Sequence, residues 1–317
     1  MCQIFLQLNI IHSISSFESS QKTIVTIGTF DGIHIGHQKI LKKLIKTAKK
    51  RKEKSVLLTF FPHPRMVLQK NVAIELLNTI DEKSKLLEEI GLDYLIIHPF
   101  SKEFSRLTAL DFVRDVLVNQ LNTSKLIIGY DHHFGKNREG NIDQLREYST
   151  MYDFEVEEIP AQDIDNVSVS STKIRNALLT GHLKTANKYL GYHYTITGVV
   201  VNGKKIGGQI GFPTANIHVE ENYKLIPKTG VYVIKSFINN RVHFGMMNIG
   251  YRPTLDGKHQ TIEAHFFDLH QDLYGKTLTI EFLYFLRDEQ KFNSVDELIL
   301  QLKNDKLSAQ LFLENNP

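Results

Sequence analysis

Hydrophobic and polar positions in the first half of the chain follow two alternating periods. Short runs of β-branched and aliphatic residues are separated by amphipathic stretches with apolar residues every three or four positions. Such alternation predicts a parallel sheet with helices on both faces, an α/β fold. Strands are predicted at Thr23–Ile27, Ser55–Phe60, Asp93–Ile97, Lys125–Gly129 and Phe154–Ile159, and helices at Gln38–Lys54, Asp81–Ile90, after Thr108 and at Asn141–Tyr152.

The pattern changes in the second half of the chain. Two short helices, Thr172–Thr180 and Leu183–Leu190, each end at a glycine. Segments rich in β-branched and aromatic residues then follow without intervening helices, which predicts an antiparallel β-barrel. These strands are predicted at Tyr194–Val201, Val231–Phe237, Val242–Ile249, Thr261–Phe267 and Lys276–Leu286, with turn signals at Asn202-Gly203, Asn239-Asn240 and Asp256-Gly257.

Length and composition support two domains. A chain of 317 residues is long enough for two, and the change of pattern places the boundary between domains 1–182 and 183–317. A closing helix is expected after Ser294 and Glu297, whose spacing is that of a capping box. The fold class is therefore α/β plus β.

The net charge limits the kinds of partner that we expect, and the cysteine content limits the expected cellular compartment. The formal net charge is only +3, and the lysines between residues 39 and 54 recur at the solvent face of a predicted helix. We therefore expect no nucleic-acid partner. Cys2 is the single cysteine, so no intramolecular disulfide is possible, and we expect a cytoplasmic protein with neither a secretion signal nor a membrane span. A monomer or weak homo-oligomer is expected.

The stretch Gly28–His37 lies between a predicted strand and a predicted helix. Its glycines allow close approach of the backbone to a ligand, and helix N-termini favour anions. His34 and His37 are three residues apart and could both donate to a phosphate. A plain glycine-rich turn and a metal-binding histidine pair remain as alternatives.

Two further loops follow predicted strands and should meet this turn at the carboxyl edge of the sheet. Phe60–Pro64 is an aromatic, proline-stiffened loop, which suits either a packed loop or an apolar shelf for a planar ring. Gly129–Gly135 brings together Asp131, two histidines and Phe134. The segment Val169–Arg175 places hydroxyls at a helix start with basic residues behind them, as an anion clamp would.

Gly207–Asn216 is the most informative stretch of the second half. Its glycines are typical of a phosphate-binding loop, and Thr214 and Asn216 alternate so that both can face one ion. Their hydroxyl and amide oxygens suit Mg²⁺. A barrel turn followed by an edge strand would give the same pattern.

Taken together, these motifs resemble the bacterial bifunctional riboflavin kinase/FAD synthetase family. The family patterns are Gly-x-Phe-Asp-Gly-x-His-x-Gly-His, Phe-x-Pro-His-Pro and Ile-Ser-Ser-Thr-x-Ile-Arg in the first half, and Gly-Phe-Pro-Thr-Ala-Asn in the second. The chain departs at Val169, usually Ile, and at His132, usually Phe. Further matches are Met247–Thr254, Glu263–His265, Asp272–Lys276 and Phe285–Phe292.

The resemblance implies residue roles in two sites. His34, His37 and Arg175 would stabilise adenylyl transfer, and Glu263 would be the base of the kinase. Thr214 and Asn216 would bind Mg²⁺. Arg287 would either meet phosphate or hold the closing helix. Nucleotide- and flavin-binding positions would be Gly28, Phe30, Asp31, Gly36, Phe61, Pro62, Pro64, Asp131, Phe134, Ser170, Ser171, Thr172, Gly208 and Gly211.

The implied function is phosphorylation of riboflavin to FMN and adenylylation of FMN to FAD, with ATP as co-substrate and Mg²⁺ as cofactor. One alternative is an enzyme with a single live activity, the kinase. Another is a nucleotide- or RNA-binding regulator that uses the Lys39–Lys54 face, which would show salt-dependent nucleic-acid affinity without turnover.

Overall fold

The computed structural model describes residues 7–69, 74–130, 133–160, 169–203, 206–254, 257–269 and 271–316. By its internal contacts the chain divides into two compact units, Met1–Ser170 and Ser171–Pro317, called here the N-terminal and C-terminal units. The division falls after Ser170, whereas the sequence pattern placed a domain boundary after residue 182. In the described ranges, no helix has the length and apolarity needed to cross a membrane.

The N-terminal unit contains a parallel sheet, as predicted. Within the described residues it has six strands in the order β1-β4-β3-β2-β5-β6. The central strands β3, β2 and β5 are neighbours, so the loops that follow them lie side by side at one edge. The strands are β1 Asn9–Ile11, β2 Thr23–Ile27, β3 Lys54–Phe61, β4 Tyr94–Pro99, β5 Thr123–Gly129 and β6 Glu155–Ile159.

Helices cover both faces of this sheet. Alternate residues of β2 point to opposite faces, so that Val25 joins one core cluster and Ile24 the other. The helical segment after Thr108 was predicted, and most of it is a π-helix, Phe112–Gln120. The helices are α1 Ile35–Arg51, α2 Pro64–Leu68, α3 Ile80–Ile90, α4 Ala109–Asp111, continued by that π-helix, and α5 Ile142–Tyr152, with 3-10 turns at Ile14–Ser16, Phe104–Arg106 and Lys136–Arg138.

The C-terminal unit is a closed antiparallel barrel, which confirms the predicted fold class. Its strands follow the order β10-β11-β8-β7-β12-β9 around the barrel. Tyr194, Tyr232 and Phe282 are among the largest fully buried side chains. The strands are β7 Thr195–Val201, β8 Ala215–His218, β9 Gly230–Ile238, β10 Arg241–Thr254, β11 Gly257–Phe266 and β12 Thr277–Arg287.

Helices of the C-terminal unit are α6 Ser171–Leu179, α7 Leu183–Leu190, α8 Ile206–Gln209 and α9 Val295–Asn315. The closing helix α9 buries Ala309 in a cluster with Phe212, Val231 and other barrel residues. Ser294 caps α9 by accepting the N–H of Glu297, as predicted. The reciprocal half of the capping box was wrong, because Glu297 accepts the N–H of Asn293 instead.

One predicted turn also differs. Asn239-Asn240 joins β9 and β10 with both residues at positive φ, as a tight hairpin requires. Asn202-Gly203 is not a hairpin turn, because the chain continues through α8 before β8 begins. Asp256, in the third turn signal, lies outside the described residues.

Candidate active sites

The Gly28–His37 turn joins β2 to α1 through a strained backbone. Phe30 and Ile33 adopt φ values of 45° and 36°, and Gly28 and Gly32 are also at positive φ. Non-glycine residues at such angles cost of order 1–3 kcal/mol each and persist only where the surroundings hold them. The turn is joined to β3 at its start, where the N–H of Gly28 donates to the Leu58 carbonyl at 3.1 Å. Gly36 is buried in the first turn of α1.

His34 and His37 are brought together in this turn. Their ring centroids lie 3.6 Å apart and the planes differ by 17°, so the imidazoles stack. His34 caps α1, because its Nδ1 accepts the N–H of His37 at 3.4 Å. The Phe30 ring packs against the His37 ring, with centroids 4.6 Å apart. The helix therefore starts three residues earlier than the predicted Gln38.

The His37 imidazole is neutral in this arrangement. Desolvation, the neighbouring His34 and the Lys83 ammonium together hold the pKa of His37 well below its usual value. His34 accepts a hydrogen bond at Nδ1, which requires that nitrogen to be unprotonated. Nδ1 of His37 is buried and, among the described residues, has no hydrogen-bond partner. Both histidines can donate to a phosphate, but His37 supplies no positive charge to it.

Asp31 contacts a neighbouring backbone segment. It is 2% exposed, and its Oδ1 accepts the N–H groups of Leu77 and Asn78 at 2.9 and 3.4 Å. These two residues lie just before α3, which Thr79 caps through a complete capping box with Glu82. Asp31 therefore fixes the position of the turn relative to α3.

The loops after β3 and β5 are partly within the core. Phe61 packs against the core cluster under α1, and the Phe61–Pro62 peptide is cis. Pro64 begins α2, which His63 caps. Phe134 is 7% exposed, with its ring centroid 5.8 Å from that of Phe112. Asp131 and His132 lie outside the described residues.

The predicted anion clamp spans the division between the two units. Ser170 is the last residue of the N-terminal unit, and α6 begins at Ser171. Thr172 is exposed and Arg175 is partly buried in the first two turns of this helix. Ser171 is thus the first helical residue, one position before the predicted start of this helix at Thr172.

In the barrel, the three residues of the predicted kinase site lie together. Asn216 on β8 is directly opposite Glu263 on β11 in the antiparallel register, so their side chains share one face. The hydroxyl of Thr214, two residues before Asn216, donates to Glu263 Oε2 at 3.4 Å. One face of the barrel therefore presents a hydroxyl, an amide and a carboxylate side by side.

Gly203 makes room for this group. A Cβ at this position would lie 2.0 Å from Nδ2 of Asn216, so any larger residue would require the amide to move. In the following loop, the N–H of Phe212 donates to the Gly207 carbonyl at 2.8 Å. Gly208 and Gly211 have open space where a Cβ would stand, and Gly211 adopts a φ of +83°. The loop thus leaves space beside the backbone of Gly208 and Gly211.

The donor set of this face suits magnesium. Among the described residues, no three His, Cys, Asp or Glu side chains cluster so as to hold a metal ion by themselves. The oxygens of Thr214 and Asn216 beside a carboxylate are hard ligands, and Mg²⁺ commonly takes only one or two protein ligands plus phosphates and water. The residues present therefore fit a phosphate-bound magnesium ion.

Both halves of the chain resemble known protein families. A family model described as FAD synthetase matches residues 16–173, and one described as riboflavin kinase matches residues 190–313. The bifunctional riboflavin kinase/FMN adenylyltransferase of Listeria monocytogenes is 38% identical over 291 residues, covering 91% of this chain and 92% of that protein. The chain belongs to the bifunctional riboflavin kinase/FMN adenylyltransferase family. The protein of that name from Buchnera aphidicola is 36% identical and covers 95% of this chain and 96% of its own.

A solved structure has the same architecture. The crystal structure described as a macrolide-efflux protein from Streptococcus pneumoniae aligns with a TM-score of 0.87 and 32% sequence identity. The alignment covers 96% of this chain and 99% of that one. The predicted family and fold class are both confirmed for this member of the riboflavin kinase/FMN adenylyltransferase family.

Lys83 is a residue of the first site that the sequence analysis missed. It lies on α3 and is 5% exposed, and its Nζ donates to the Thr29 carbonyl at 2.7 Å. Desolvation lowers the pKa of Lys83 to about 8, while Asp31 acts to raise it. Its spacing from Ile80 and Leu87 places it on the buried stripe of the helix, and that spacing was the available signal.

Arg287 holds the closing helix. Its Nε and Nη2 donate to the two carboxylate oxygens of Asp305 on α9, at 2.8 and 2.7 Å. Gln301 Nε2 donates to Asp305 as well. The sequence left two roles open for Arg287, and the structure shows the one in which it holds the closing helix.

His265 is a second buried group near the kinase site. Its Nδ1 lies 2.8 Å from the Pro213 carbonyl, an arrangement in which Nδ1–H donates. Burial is the largest influence on the pKa of His265 and lowers it. The neutral ring thus fixes the residue just before Thr214 against β11.

Proposed function

We propose that this protein phosphorylates riboflavin to FMN in its C-terminal unit and adenylylates FMN to FAD in its N-terminal unit. ATP is the co-substrate of both reactions and Mg²⁺ the cofactor. The observation that carries the proposal is the gathering of Thr214, Asn216 and Glu263 on one barrel face, in a chain whose two halves match the two family models.

The kinase reaction needs a base, because the nucleophile is a ribityl hydroxyl. Glu263 accepts the proton of that hydroxyl as the hydroxyl oxygen attacks the γ-phosphorus of ATP, while the bond between the γ-phosphorus and the β–γ bridging oxygen breaks and ADP leaves. Thr214 and Asn216 would hold Mg²⁺, which neutralises phosphate charge when bound. Open backbone at Gly208 and Gly211 leaves space for the phosphates. Thr214, which donates to Glu263, orients the carboxylate.

The adenylyl transfer needs alignment more than a base. The FMN phosphate is already an anion, and its oxygen attacks the α-phosphorus of ATP as pyrophosphate leaves. His34 and His37 act as neutral donors at the N-terminus of α1, and Arg175 with Ser170, Ser171 and Thr172 contacts the phosphates. FMN lies near Phe61, Pro62, Pro64 and Phe134, with Asp131 in the same loop.

The functional boundary follows from this assignment. The Ser170–Arg175 segment serves the adenylyltransferase, so that domain runs through residue 182 and the kinase domain begins at residue 183. A cytoplasmic, monomeric or weakly associating enzyme is consistent with the single cysteine.

The test is a product profile. Purified protein is incubated with riboflavin, ATP and MgCl₂, and the flavins are separated by chromatography over time. FMN should form first and FAD should follow, and both should be absent when EDTA exceeds the metal. FMN without FAD would support the kinase-only alternative, and turnover of neither flavin would contradict the proposal.

A further inference from the structure

Asp31 and Lys83 form a reciprocal brace between the Gly28–His37 turn and α3. Asp31 belongs to the turn and accepts the N–H of Leu77, at 2.9 Å, in the segment before α3. Lys83 belongs to α3 and donates to the Thr29 carbonyl, at 2.7 Å, in the turn. Both side chains are at most 5% exposed. Each charged side chain therefore binds the backbone of the segment that carries the other.

The turn needs such a brace because its backbone is strained. Phe30 and Ile33 are held at positive φ, a conformation that relaxes unless neighbouring structure fixes it. The bond from Lys83 reaches Thr29, directly before Phe30. Loss of that bond would free the first half of the turn, and with it the placement of both histidines.

Lys83 also contributes a buried positive charge. The His37 ring beside it is neutral, so it cannot balance charge on a phosphate. With a pKa of about 8, the Lys83 ammonium is mostly protonated at pH 7. A charge in a buried, low-dielectric setting acts more strongly than the same charge in water.

We propose that Lys83 is a positioning residue of the FMN adenylyltransferase site, which holds the phosphate-binding turn in shape through Thr29 and places a positive charge behind it. The inference rests on the proposed function of this unit. Lys83 acts through the turn and is not assigned a contact with substrate.

The test compares Lys83→Met, Lys83→Gln and Lys83→Arg with Lys85→Met, an exposed lysine of the same helix. FAD formation from FMN and riboflavin phosphorylation are measured on the same samples. Met and Gln should lower kcat for FAD formation by about 10- to 100-fold with little change in the KM for ATP. Arg should restore most of the activity, since it keeps the charge. Phosphorylation should stay within about twofold in all variants.

The pH profile separates this role from a purely structural one. The groups that face Lys83 are Asp31 from the turn and His37 from α1, and the pKa of His37 is held well below its usual value. The wild-type kcat/KM for FAD formation should fall above about pH 8, where Lys83 loses its proton. That alkaline fall should move to higher pH in Lys83→Arg and stay in place in Lys85→Met.

Several results would overturn the inference. They are equal activity of the Gln and Arg variants, an unchanged alkaline fall in Lys83→Arg, or a normal kcat in Lys83→Met. If the Met and Gln variants fail to fold, as judged by circular dichroism, the comparison of wild type with Lys83→Arg still decides. Wild-type protein that makes no FAD would instead contradict the proposed function itself.

Discussion

At the residue scale, the first site is defined by two stacked histidines, of which His37 carries no charge. The pKa of His37 is held well below its usual value, so this ring adds no positive charge to the stack. Positive potential at the turn therefore comes from the N-terminus of α1 and from Lys83 behind it. A phosphate that binds here would interact with hydrogen-bond donors more than with positively charged side chains.

Neutral His37 makes stability depend on pH. Its pKa is lowered in the folded protein, so below about pH 6.5 the unfolded chain binds more protons and stability falls as the pH falls. The slope for one proton is at most about 1.4 kcal/mol per pH unit. His37→Asn cannot titrate and should lose less stability than wild type between pH 7 and pH 5, as measured by urea unfolding. Identical losses in the two proteins would contradict the assignment, since His98 and His265 titrate in both.

Gly203 offers a test of packing at the kinase site. Gly203→Ala would place a Cβ 2.0 Å from Nδ2 of Asn216, so the amide must move. Riboflavin phosphorylation should fall by about 10- to 100-fold, because displacements of about 1 Å have effects of that size. Asn202→Ala, at the exposed neighbouring position, is the control and should retain activity. Full activity of Gly203→Ala would show that the position of Asn216 is not important.

The sequence could predict which loops carry the candidate residues, but not all of their contacts. The spacing of Thr214 and Asn216 predicted one shared face, and the structure places Asn216 opposite Glu263 and the Thr214 hydroxyl 3.4 Å from the Glu263 carboxylate. The family resemblance predicts that Asp31 binds a ligand. The sequence does not predict the hydrogen bond between Asp31 and Leu77, 46 positions away, because periodicity does not encode tertiary packing. Lys83 was not predicted as a candidate residue because composition does not distinguish a buried lysine from an exposed lysine of the same helix.

At the scale of elements, long periodic segments were predicted and short ones were not. Helices α3, α5 and α7 and most strands of both units lie close to their predicted ranges, although β10 and β11 are longer than predicted and β1 and β8 were not predicted. The four residues of β8 are too few to show a period. Asn202-Gly203 has the residue types of a tight turn, but in the structure Gly203 packs against the side chain of Asn216. Helix α1 starts early because a histidine caps it, and histidine is not a usual cap residue.

The attachment of α9 gives a prediction at this scale. Asp305 is 3% exposed and pairs with Arg287 through both carboxylate oxygens. Asp305→Asn removes one charge of a largely buried pair and should destabilise the C-terminal unit by about 3 kcal/mol. Asp296→Asn, at an exposed site in the first turn of α9, should cost only a few tenths of a kcal/mol. Urea unfolding of the two variants gives the comparison, and equal effects would mean that the Arg287–Asp305 pair does not hold the helix.

At the scale of the whole molecule, a change of hydrophobic period was enough to predict two kinds of fold. The first half has alternating strand and helix periods, and the second has strands joined by turns. The order of strands in the sheet and around the barrel could not be predicted, because it depends on which segments pair in space. The two family models likewise match the two halves of the chain separately.

The central claim is that these halves hold two separate active sites. The most direct measurement follows both products, FMN from riboflavin and FAD from supplied FMN, in His37→Ala and Glu263→Ala. His37→Ala should lose FAD formation by about 100-fold or more and keep phosphorylation, and Glu263→Ala should do the opposite. A joint loss of both activities in either variant, with circular dichroism unchanged, would contradict the two-site account.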